Sequence, residues 1–75
     1  MHLYWLVFKH GAKTTVVIQP AHSMVAARLM AGAHGQEGEF QEGHTLDTNN
    51  AKKIPKDIIG KSLGAAQAKR LLKKL

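Results

Sequence analysis

Leu3-Tyr4-Trp5-Leu6-Val7-Phe8 and Thr14-Thr15-Val16-Val17-Ile18 flank the polar segment Lys9-His10-Gly11-Ala12-Lys13, and the rest of the chain is organised around that pair. Both runs are aromatic and β-branched, side chains that suit a pleated surface, and the intervening glycine accepts a positive φ, so the three segments predict a β-hairpin. A two-residue turn at His10 and Gly11 sets Trp5 opposite Val16, Val7 opposite Thr14 and Leu3 opposite Ile18. Because side chains alternate along a strand, Leu3, Trp5, Val7, Val16 and Ile18 then share one face, which is the expected core. The other face carries Tyr4, Leu6, Phe8, Lys13, Thr15 and Val17. That is too apolar for a solvated surface; Tyr4, Leu6 and Phe8 are therefore a candidate interaction face, to be covered by a helix, a subunit or a ligand.

Outward from the hairpin, Pro20 has no amide hydrogen for the ladder and ends the second strand, and Ser23 is placed to cap a helix from Met24 to Ala31, with Gly32 as its stop. Arg28 is the one strongly polar residue of that helix. A helix with almost no wet face is buried or lies in an oligomer contact, and with the second sheet face it predicts a homodimer. Gly32 to Gly38 reads as a flexible link. Glu39-Phe40-Gln41-Glu42-Gly43-His44-Thr45-Leu46 reads as a mostly polar strand at a sheet edge, where its glutamates discourage further pairing. Asp47-Thr48-Asn49-Asn50 is turn chemistry. In Ile54-Pro55-Lys56-Asp57-Ile58-Ile59-Gly60 the proline suits a first helical turn and the glycine its end, so one or two turns fit there.

Gly64 is then the cap of a last helix, with Ser62 as its rival. Gln67 stands at the third helical position and Leu63 meets Ala68 as a hydrophobic staple. At about 100° per residue, Ala68, Leu71, Leu72 and Leu75 form one stripe, while Lys69, Arg70, Lys73 and Lys74 fill a separate arc. The expected architecture is α+β, with element order ββαβαα, in one small domain over residues 1–75. The Trp5 face is expected to pack on Met24 to Ala31 and on the leucine stripe.

The charge is local. Lys52, Lys53, Lys56, Lys61, Lys69, Arg70, Lys73 and Lys74 stand against Asp57 alone in residues 51–75, a net +7, whereas residues 1–50 hold three basic and four acidic side chains. A patch of this kind attracts polyanions, either nucleic acid or an acidic protein. The eight cations are the candidate nucleic-acid-binding residues, and several elements converging on one surface would make them a footprint.

Composition excludes much else. A chain of 75 residues has little room for an internal cleft, and without cysteine it has no disulfide or thiolate metal site, which points to a reducing compartment. Leu3 to Phe8 is too short for a signal-peptide core or for the roughly 20 residues of a membrane span, so a cytoplasmic protein without membrane attachment is expected. The histidines at 2, 10, 22, 34 and 44 lack the three- to five-residue spacing that pairs imidazoles on one element, and only a meeting in space of His34, Glu37, Glu42 and His44 could offer ligands. No metal or cofactor is expected. Catalysis is not either: Glu37, Glu39 and Glu42 lie on a glycine-rich segment, Ser23 is a cap, and Gly60-Lys61-Ser62 is no phosphate loop because Pro55 replaces the required glycine.

Ile54-Pro55-Lys56-Asp57-Ile58-Ile59-Gly60-Lys61-Ser62-Leu63-Gly64-Ala65-Ala66-Gln67-Ala68-Lys69-Arg70-Leu71-Leu72 resembles a segment in the C-terminal repeats of type IA DNA topoisomerases, in which a Lys-Thr-Ile-x-Gly-Lys-x-Leu-like run precedes a short helix ending in Leu-Leu. The catalytic tyrosine domain and zinc-binding cysteines of that family are missing here. The resemblance therefore implies a small DNA-associated accessory module with no strand-passing activity.

Overall fold

The computed structural model describes residues 2–33 and 38–74, and it is α+β. Strands β1 (His2–His10) and β2 (Lys13–Ala21) form the hairpin, helix α1 (Met24–Ala33) follows, and β3 (Glu39–Leu46) returns to the sheet. Helix α2 (Thr48–Lys52), a 3₁₀ turn (Lys56–Ile58), strand β4 (Ser62–Gly64) and helix α3 (Ala65–Leu72) complete the chain. The sheet runs in the order β3-β1-β2-β4, with every neighbouring pair antiparallel.

The hairpin turn lies one residue later than expected. His10 pairs with Lys13 around Gly11 and Ala12, and Gly11 takes φ 60° at the first central position, where a two-residue turn favours glycine. Consequently Trp5 pairs with Ile18, Val7 with Val16 and Leu3 with Pro20. The register differs from expectation by two residues, one full period of the pleat, so each side chain keeps its expected face.

Both faces are covered, which accounts for the unbroken apolar runs. On one face Tyr4, Leu6, Phe8 and Val17 pack with Ala27 and Ala31 of α1, joined by Met24, Ala26 and Phe40. This corrects two expectations. Helix α1 lies on the Tyr4 face rather than the Trp5 face, and Tyr4, Leu6 and Phe8, at 5%, 0% and 5% exposure, are covered by the chain's own helix and offer no interaction surface. Small Ala27 and Ala31 bring the helix axis close to the sheet. Ser23 caps it as expected, its Oγ accepting from the Ala26 N–H at 3.1 Å. Gly32 does not stop it: the helix continues to Ala33, and Gly32 keeps a negative φ.

On the opposite face Trp5, Val16 and Ile18 pack with Ile54, Leu63, Ala68 and Leu71, flanked by Leu3, Val7, Leu46, Ile58 and Ile59. Every element after β3 except α2 thus contributes to one cluster. Two parts were not anticipated. Asp47 caps a true short helix, its Oδ1 accepting from Asn50 N–H at 2.7 Å, and Ser62-Leu63-Gly64 is a strand paired to Val17, Val16 and Thr15. The Gly60 N–H donates to the Ile18 carbonyl at 2.7 Å and leads the chain into that pairing. Leu72 leaves the expected stripe. It is 54% exposed because it lies a further 100° round the helix from buried Leu71. Leu75 lies outside the described residues.

Candidate functional site

The site expected from sequence is carried by α2 and by three later segments that fold against the Trp5 face. Lys52 ends α2 and Lys53 is its C-cap residue; Lys56 opens the 3₁₀ turn; Lys61 precedes β4; Lys69 and Arg70 lie on α3; Lys73 and Lys74 follow its last turn. All eight are exposed. Their position follows from what lies between them, since Ile54, Ile58, Leu63, Ala68 and Leu71 are drawn into the Trp5 cluster and the intervening cations are left on the outside. Leu71 and Ala68 face the sheet, which turns Lys69, Arg70, Lys73 and Lys74 to solvent.

Start and end of α3 also have a local cause. Gly64, at φ −71° and ψ 166°, has no side chain to cap with, so the reciprocal half of the box is what forms: Gln67 Oε1 accepts from Gly64 N–H at 3.2 Å. Lys69 and Arg70 fall in the last turn, where cations meet the unsatisfied carbonyls favourably. Between α3 and the 3₁₀ turn a shallow groove is floored by Ile58, Leu63 and Leu71, and Arg70, Lys74, Gln67 and Pro55 line it as well. The cations of this groove, Arg70 and Lys74, both come from the α3 end, and the other wall, Pro55 and Ile58, is apolar.

Among the described residues the one contact at ion-pair distance is His44 Nε2 with Glu42 Oε2 at 3.5 Å, on exposed β3. None of the eight cations of the last third is therefore engaged with a described carboxylate. His44 and Glu42 do meet, but His34 and Glu37 lie outside the described residues, and no group of three described histidine, aspartate or glutamate side chains could hold a metal ion. No helix among the described residues is long and apolar enough to cross a membrane.

A second feature lies on α1, the helix expected to be buried or in an oligomer contact. The outer side of α1 exposes Val25 at 66% and Leu29 at 70%, with Met30 also accessible. Beneath them a groove of about 400 Å³ is lined by Phe8, Val25, Arg28, Leu29 and Phe40, and the Arg28 guanidinium lies 4.1 Å over the Phe40 ring. The sequence signal was the near-absence of polar residues in Met24 to Ala31; what it could not show is which of the apolar side chains face out. No family model, curated protein or solved structure matches the chain, so the topoisomerase resemblance of residues 54–72 stands on those residues alone.

Proposed function

We propose that this protein is a non-enzymatic binding module that engages nucleic acid through the basic surface of its last third. One observation carries the reading: eight exposed cations are unpaired with any described carboxylate, Lys52 and Lys53 just before buried Ile54 and the other six on or beside segments anchored through a single apolar cluster on one side of the sheet. Holding like charges on one side is unfavourable without a counter-charge, and a polyanion supplies one while releasing its own condensed counterions. The resemblance to DNA-associated topoisomerase repeats lies in the same segment and agrees with this reading. An acidic protein would meet the same charge; what favours nucleic acid is the resemblance carried by residues 54–72.

The deciding experiment is a titration of labelled oligonucleotides, double- and single-stranded, at several salt concentrations. Binding that weakens steeply and linearly in log affinity against log salt supports the reading. Absence of binding to every oligonucleotide at low salt overturns it.

A second reading is favoured by the outer side of α1. Val25, Leu29 and Gly32 recur at the four- and three-residue spacing of one helix face, and a Cβ on Gly32 would meet nothing within 4 Å, which leaves room for a neighbouring helix. A two-fold-related copy presents the same stripe, so self-association through α1 is the form this reading takes.

A further inference from the structure

We infer that the ligand of the basic surface is a nucleic-acid duplex held by its phosphates, and that single strands are the poorer ligand, an inference that rests on the basic-surface reading above. Proteins that hold single strands lay successive bases on aromatic rings exposed within a basic groove. This chain has four such rings, Tyr4, Trp5, Phe8 and Phe40, and all of them are among the described residues.

None is offered to a base on the basic side. Tyr4, Trp5 and Phe8 are buried in the two clusters. Phe40 packs edge-on against Phe8 with ring centroids 5.8 Å apart, and the Arg28 guanidinium covers its face. It also belongs to the α1 side of the sheet, opposite the cluster that anchors the basic segments. Histidine could stack instead, but residues 51–75 contain none. His44 pairs across from Trp5 and so faces the basic side, yet the Glu42 carboxylate stands beside it, Oε2 3.5 Å from Nε2, and repels phosphate.

What remains is an array of lysine and arginine without a stacking platform. Such an array responds to the density of phosphate charge, which is higher on a duplex, and neutralising each duplex phosphate releases more counterion than on a single strand. With four contacts the salt slopes are about −3.6 and −2.8; from equal affinity at 1 M salt, this separates the two ligands by about tenfold at 50 mM.

The test is a matched set of labelled ligands of one length: duplex DNA, duplex RNA and the unpaired DNA strand, titrated with the full chain at low salt. The expected result is affinity for at least one duplex about tenfold above that for the single strand, with the tighter duplex identifying the DNA or RNA source. Single-strand affinity equal to or above both duplexes overturns the inference and leaves the basic-surface reading standing. No binding to any of the three overturns both.

Discussion

Gly38 stands against the backbone of Lys9: a Cβ placed on Gly38 would fall 2.7 Å from the Lys9 carbonyl oxygen. Gly38 also holds φ 108°, which side-chain-bearing residues rarely adopt. Gly43, on the same strand side of the chain, is crowded differently. Its Cβ would meet Met24 Sδ at 2.7 Å and Phe40 Cζ at 3.1 Å, both side-chain atoms, and its φ is ordinary. A thioether at the end of a flexible chain moves aside; a strand carbonyl does not. Gly38→Ala is expected to destabilise the domain by about 2–4 kcal/mol, and Gly43→Ala by about 1 kcal/mol, because overpacking is partly offset by the lower chain entropy of alanine. Urea unfolding of the two variants beside wild type checks the order; equal midpoints would show that β3 enters the sheet differently.

Trp5 is the widest side chain of the basic-side cluster, 6% exposed among Ile18, Ile54, Leu63 and Leu71. Trp5→Ala is expected to cost about 3–5 kcal/mol through the cavity it leaves, a large part of the stability of a domain this small. The cluster also anchors segments that carry the basic side chains, so the variant should lose its cooperative melt and, with it, the nucleic-acid binding proposed for those segments. A melt within a few degrees of wild type would rule out this packing.

Lys69, Arg70, Lys73 and Lys74 are exposed, so replacing all four with glutamine should leave the melting curve nearly unchanged. If they contact phosphates, the log–log salt slope for duplex binding should flatten by roughly three to four units, near 0.9 per contact. Glutamine is preferred to glutamate because reversal adds repulsion. Identical slopes for wild type and variant would mean that the arc is only a solvated helix face.

Val25 and Leu29 are the most exposed of the large apolar side chains of α1. Sedimentation equilibrium is expected to show mass rising above 8.2 kDa with concentration, and Leu29→Glu, at an exposed position that belongs to neither cluster, should return the monomer without loss of fold. A constant 8.2 kDa species in wild type would exclude self-association through this face.

The hairpin, the cap at Ser23, the polar strand pattern of β3 and the charge of the last third are legible in the amino-acid order because each depends on neighbours within a few residues. Local periodicity even absorbs an error: Trp5 pairs with Ile18 instead of Val16, yet a shift of two residues keeps the same face inward. The candidate cations are legible for the same reason, since exposure of Lys69 or Lys73 follows from the helical position of Leu71. Other features are decided only by contacts between distant segments. Ser62-Leu63-Gly64 carries too little pattern for a strand and becomes one because β2 presents a free ladder edge to it. The face taken by α1 depends on β3 pairing with β1 and so running parallel to β2; β2-α1-β3 is then a crossover, and the hand of crossovers admits one side of the sheet. Both faces of the hairpin are apolar, so burial alone cannot choose between them. That choice covers Tyr4, Leu6 and Phe8, bares Val25 and Leu29, and leaves the Trp5 face to the basic segments.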